Sequence, residues 1–313
     1  MVIDGDGGSF PVVRDMAFAV ARGETLAIVG ESGCGKSMTA LSLLRLQPPA
    51  ARIVRGAIAV EGADVLALPR PALEDIRGER IGMIFQEPLT ALNPVMTVGD
   101  QIVEVLQRHL SLGGAAAQAR AVELLSLVRM PDPAAKARLY PHQMSGGMRQ
   151  RAMIAIALAC DPAVLVADEP TTALDVTIQA QILGLIRDLQ RRLGTALVLI
   201  THDLGVVAEM ADTVIVMYAG RRVEVAPVMA LFDEPLHPYT RALMKAAPSL
   251  EAGAAKAALT EIGGTVPPLW DLPRGCAFSN RCSLATERCR REEPPLEAKR
   301  AGHLAACWEV ADG

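Results

Sequence analysis

Two kinds of hydrophobic pattern alternate along the chain. Glu24 to Gly30 (ETLAIVG) is apolar and β-branched, as a buried strand is, and Ser37 to Leu46 (SMTALSLLRL) spaces its apolar residues for one helical face. Strand character returns in Ala163 to Pro170 (AVLVADEP) and in Thr195 to Gly205 (TALVLITHDLG), and both runs finish in polar residues. Val98 to Leu110 (VGDQIVEVLQRHL) and Ala117 to Met130 (AQARAVELLSLVRM) carry helical spacing between them. The order predicts an α/β core over 1–226, interrupted by a helical insert at about 86–143. A proline-rich tail over 227–313 follows.

The first strand–helix junction carries the chemistry. Gly30 to Ser37 (GESGCGKS) fits G-x-x-x-x-G-K-[ST] between a strand and a helix. Gly30, Gly33 and Gly35 let the backbone wrap closely, so that N–H groups from Ser32 through Met38 face phosphate oxygens. Lys36 reaches the β- and γ-phosphates, and the Ser37 hydroxyl is suited to Mg²⁺. Asp168 and Glu169 end the second strand, where one carboxylate can hold Mg²⁺ and the other can polarise a water attacking the γ-phosphate. His202 follows the third strand and is a candidate for the same phosphate. A second glycine-rich turn, Met144 to Arg151 (MSGGMRQR), looks like another phosphate-binding loop; Ser145 there is placed to cap a helix running to about Cys160.

Composition adds limits. The net charge of −4 gives no sign of a nucleic-acid binder. No apolar run approaches the ~20 residues of a membrane span. The N-terminus (MVIDGDGG) lacks a secretory pattern, so a cytosolic chain is expected, one that can still dock on a membrane protein. Cys34 lies within the phosphate loop, where a helix N-terminus and Lys36 are expected to lower its thiol pKa and make it reactive. Cys160 reads as a buried packing residue. Cys276, Cys282, Cys289 and Cys307 crowd the tail in a C-x5-C-x6-C-x17-C spacing. Soft thiolates suit zinc or an iron–sulfur cluster, and four unrelated thiols stay open on spacing alone.

Taken together, the motifs resemble the ATP-binding cassette (ABC) ATPases over nearly the whole chain. GESGCGKS resembles the Walker A loop and VLVADEP resembles Walker B. Gln86 in GMIFQEP is similar to the Q-loop glutamine, also a Mg²⁺ ligand. MSGGMRQR resembles the signature loop, Ala173 to Asp175 (ALD) the D-loop, and His202 the switch histidine. The resemblance implies a P-loop ABC core with a helical subdomain, and a head-to-tail dimer. In that dimer Ser145, Gly146, Gly147 and Gln150 of one chain meet ATP held by the Walker A loop of the other. It also implies Glu169, His202 and Gln86 as catalytic and sensing residues.

Finer features resemble the ATPases of dipeptide and oligopeptide importers: FQEPLTALNPVMTVGDQI (85–102), HPYTRALMKAAP (237–248) and PPLWDLPRGCAFSNRC (267–282). This branch also serves nickel, glutathione and some antimicrobial peptides. It implies two membrane permeases, a second homologous ATPase as heterodimer partner and, indirectly, an extracytoplasmic solute-binding protein, with the chain peripheral on the cytoplasmic face of the inner membrane. It further implies a [4Fe–4S] cluster on the four tail cysteines in a small C-terminal domain, with zinc as the alternative. A soluble ABC ATPase of repair or translation, or an iron- or redox-sensing regulator, are the competing classes. The family stacks adenine on an upstream aromatic; alignment on Walker A leaves Ile3, Phe10 or a missing N-terminal segment for that contact.

Overall fold

The computed structural model describes residues 1–5, 7–172, 174–246 and 262–311, and the chain separates into two compact units, each mixed α/β. One comprises Met1–Ala19, Thr25–Gly56 and Ile200–Gly313; the other comprises Val20–Glu24 and Ala57–Leu199.

In the first unit the strand Thr25–Val29 is buried at every position. It runs parallel to Thr213–Tyr218, with Leu26 opposite Thr213 and Val29 opposite Val216. Unbroken apolar sequence is what a parallel strand covered on both faces requires. Arg221–Pro227 pairs antiparallel with Thr213–Tyr218, and His303–Ala305 and Glu297–Arg300 continue outward from it. Residues far down the tail therefore extend the sheet that carries the phosphate loop. Ala27, Val29, Val214 and Val216 pack in one buried cluster with Leu231, Tyr239 and Phe278 of the tail. Tyr218 and Tyr239 lie 4.7 Å apart between ring centroids, and Phe278 meets them at 5.3 and 5.5 Å.

A buried acid fixes where the tail turns back. Glu224 is fully buried, and its carboxylate accepts the Leu236 and His237 backbone N–H groups at 2.7 and 2.9 Å. His303 Nε2 lies 2.7 Å from the same carboxylate. A charge taken out of water persists only when satisfied in this way.

The second unit contains the strands Val164–Asp168 and Ile81–Ile84, parallel with Ile81 opposite Val164, and Ala196 to Leu199 of the strand Ala196–Ile200. Its helices follow the predicted periodicity. Val98–Leu110 buries Val98, Ile102 and Leu106, four residues apart on one face, and starts at Thr97, whose hydroxyl accepts the Asp100 N–H. Gly114–Leu127 buries Ala117, Ala121, Leu124 and Leu125. Val176–Leu193 is capped at one end by Asp175 and ends at Gly194, whose φ of 64° is a left-handed stop. The helix after the second glycine-rich turn spans Gly146–Ala157, so Cys160 lies beyond its end and is only partly buried. Burial and the nearby Glu79 and Asp161 carboxylates push that thiol up to about 11. Among the described residues no helix is long and apolar enough to cross a membrane.

Candidate functional site

In the first unit the strand Thr25–Val29 delivers the chain into the phosphate loop, and the helix Lys36–Leu43 leaves it. Close packing dictates two of the glycines. A Cβ on Gly30 would sit 2.2 Å from the Met217 carbonyl oxygen, and one on Gly35 would sit 2.8 Å from that of Val12. Their φ values of 152° and 100° add a backbone reason for glycine. Ser32 and Gly33 are exposed at the loop's tip, while Ser37 and Met38 are half-buried in the first helical turn. The Lys36 ammonium curls back over the loop and donates to the carbonyls of Gly30 at 2.7 Å and Glu31 at 3.0 Å.

Cys34 departs from expectation. It is fully buried, and burial raises its thiol pKa more than the nearby Lys36 lowers it. Proximity to a helix start predicted a reactive thiolate; desolvation overrides that effect because the side chain points away from solvent. His202 is exposed beyond the third strand, and Asp203 next to it caps the helix Leu204–Met210 by accepting the Gly205 and Val206 N–H groups. Ile3 and Phe10 face each other across a short hairpin, and Phe10 meets the exposed Trp270 edge-on at 6.5 Å.

In the second unit Asp168 is buried at the end of its strand. Glu169 follows with φ of 45°, a left-handed conformation that costs a non-glycine residue about 1–3 kcal/mol and clusters at functional sites. Its carboxylate accepts Gln86 Nε2 at 3.2 Å and Thr172 Oγ1 at 2.8 Å. Gln86 and Glu169, 83 positions apart, are therefore brought together. Thr172 was missed by sequence reasoning; its only signal was a hydroxyl three residues after the acidic pair.

Ser145 accepts the Met148 N–H at 3.4 Å and so caps its helix as predicted, although the helix begins at Gly146. Gly147 lies against Ile178, which a Cβ would approach to 3.1 Å. Gln150 is buried at 2 % exposure, and its Nε2 has no hydrogen-bond partner. Asp175 accepts the Ile178 N–H at 2.9 Å, and Ala173 of the same stretch lies outside the described residues.

The tail brings its cysteines together. Cys276, Cys282, Cys289 and Cys307 line one small cavity, with Phe278, Trp308 and Glu309 among its walls. Gly275 permits the approach, since a Cβ there would lie 2.3 Å from the Cys289 carbonyl oxygen. Burial pushes the Cys276 thiol up to about 11, with the other three cysteines adding to the shift, and burial raises Cys282 and Cys307 too. All four are free thiols, and among the described residues no group of three or more His, Cys, Asp or Glu side chains is arranged to hold a metal ion. Ala247 and Pro248, which close the 237–248 stretch, lie outside the described residues.

Comparison with known proteins supplies the rest. Residues 13–172 match the ABC transporter family, and residues 223–289 match the oligopeptide/dipeptide transporter C-terminal region. The chain belongs to the ABC transporter family. One relative, the probable peptide ABC transporter ATP-binding protein y4tR of Sinorhizobium fredii, is 56% identical over 93% of this chain and 87% of its own length. The dipeptide transport ATP-binding protein DppD of Bacillus subtilis is 48% identical over 96% of this chain and 90% of its own. Among solved structures, the post-hydrolysis dimer of the ATP-binding cassette MJ0796 bound to ADP and Pi matches with a TM-score of 0.65 and 27% identity. It covers 72% of this chain and 95% of that one.

As an ABC ATPase the chain presents its cassette motifs in family order, and Cys34 inside the first of them has a measurable consequence. We expect maleimide to label native Cys34 at pH 7 on the order of 100-fold more slowly than a free thiol, because the side chain is desolvated and its pKa raised. Mass mapping of alkylated peptides reads the rate; labelling as fast as glutathione would contradict the burial.

Proposed function

We propose that the chain is the ATP-hydrolysing subunit of a membrane importer of di- and oligopeptides. The observation that carries this reading is the contact of Gln86 and Thr172 with the Glu169 carboxylate, in a chain that also has a lysine-bearing phosphate loop. The Ser32 to Met38 backbone and Lys36 bind the phosphates. By the family resemblance Ser37, Asp168 and Gln86 are the Mg²⁺ ligands, each carrying a hard oxygen donor, and the ion would supply charge neutralisation on the phosphates. Glu169 orients the attacking water, held in register by its two hydrogen-bond partners, and His202 senses the γ-phosphate.

Ser145, Gly146 and Gly147 open a helix whose N-terminal amides favour an anion, so they serve the ATP of a partner ATPase in a head-to-tail dimer. Gln150, buried within the same helix, is the fourth residue of the loop assigned to the partner's ATP. The second ATPase is a homologous chain in a heterodimer. The pair works on two permease subunits at the cytoplasmic face of the inner membrane and receives cargo by way of a solute-binding protein. The peptide assignment rests on relatives bearing the names dipeptide and oligopeptide transport ATP-binding protein.

In the tail, the four thiols around one cavity are soft donors of the kind a [4Fe–4S] cluster takes, with zinc second, although among the described residues no three of them are arranged to hold a metal. Such a group would staple a segment with little core of its own.

Glu169→Gln is expected to bind ATP with native affinity while turnover falls on the order of 10²–10⁴-fold, the usual share of a positioned base. Phosphate release in the assembled transporter reads it, and retained turnover would remove Glu169 from that role. Chain purified anaerobically is expected to carry iron and acid-labile sulfide by elemental and colorimetric assay, both lost on Cys282→Ser. Stoichiometric zinc without sulfide would select the alternative, and neither would leave four plain thiols.

A further inference from the structure

The phosphate loop contains an acid, Glu31, where a polyanion is to bind. The tail surrounds it. Arg281 grips the Glu31 carboxylate with both prongs of its guanidinium, at 2.7 and 3.0 Å. Its remaining donors reach the carbonyls of Ile262 at 3.0 Å and Gly263 at 2.9 Å, and the Tyr218 hydroxyl at 3.4 Å. The Arg281 side chain is only 3% exposed and the Glu31 side chain 27%. A planar fork with every donor spent is held in one geometry, unlike a surface ion pair.

The same residue is tied at its backbone. The Glu31 N–H donates to the Tyr239 hydroxyl at 2.8 Å, and the Glu31 carbonyl accepts from Lys36 Nζ. Tyr239 is itself buried and fixed, its own N–H donating to His237 Nδ1 at 3.0 Å. The His-Pro-Tyr turn thus ends in a hydroxyl on the phosphate loop. Four separate atoms of Glu31 are held, three of them by the tail.

We propose that Arg281 and Tyr239 are positioning residues for ATP: Arg281 cancels and anchors the Glu31 carboxylate, and Tyr239 fixes the Glu31 amide. This rests on the reading of Gly30–Ser37 as the ATP site. Without Arg281, an uncompensated carboxylate stands within the loop and opposes the triphosphate. Arg281 also directly precedes Cys282, so the loop's counter-ion and the cysteine centre share one short segment.

The test is ATP affinity of the full chain by calorimetry, with EDTA present to prevent hydrolysis, in native protein, R281Q, E31Q/R281Q, Y239F and K36A. R281Q is expected to weaken binding about tenfold or more, and the double variant, lacking both charges, to recover most of the loss. Y239F keeps the ring and its packing; about threefold weaker binding is expected, with faster amide exchange over 30–36 and an unchanged melting temperature. A residue that only props the tail would leave the double variant as weak as the single one, and that result overturns the proposal. So does binding within twofold of native in both R281Q and Y239F while K36A loses it. Should R281Q fail to fold, Y239F decides alone by the same criterion. Native binding in K36A would instead overturn the reading of the loop as the ATP site.

Discussion

A loop that closes its backbone around phosphate leaves no room for side chains behind it. Gly30 presses on the Met217 carbonyl and Gly35 on that of Val12, so the loop is shaped by the neighbouring strand and the N-terminal segment as much as by its own sequence. Much of the first unit serves that constraint. The buried strand Thr25–Val29 aims the loop, the parallel strand Thr213–Tyr218 backs it, and Tyr239 and Phe278 of the tail, packed on Tyr218, brace the sheet from which it springs.

The second unit meets a different constraint, a carboxylate placed just past the end of a buried strand. Glu169 occupies a left-handed conformation, and the hydrogen bonds from Gln86 and Thr172 orient its carboxylate. Gln86 lies two residues beyond the strand Ile81–Ile84, ahead of the insert helices, where it donates to that carboxylate.

The strands and the cassette motifs were legible in the sequence because each is local: a strand, a turn and a capped helix within twenty residues. Ser145 was read as a cap for the same reason. What sequence hid was long-range. Arg281 and Glu31 are 250 positions apart, and no periodicity links them. The strands Glu297–Arg300 and His303–Ala305 are only four and three residues long, and the first is largely charged, so nothing in their pattern announced that they join the sheet. Cys34 misled because its neighbours in sequence predicted activation, whereas its neighbours in space desolvate it.

The account makes this chain an engine attached to a membrane channel, with its tail tied into the ATP loop. The most direct test is to tag the chain in its native cell, isolate it from membranes in mild detergent and identify stoichiometric partners by mass spectrometry. The account predicts two multi-pass permeases and a second cassette ATPase, with a peptide-binding protein encoded beside them. Recovery with ribosomal or DNA-repair proteins and no permease would contradict it.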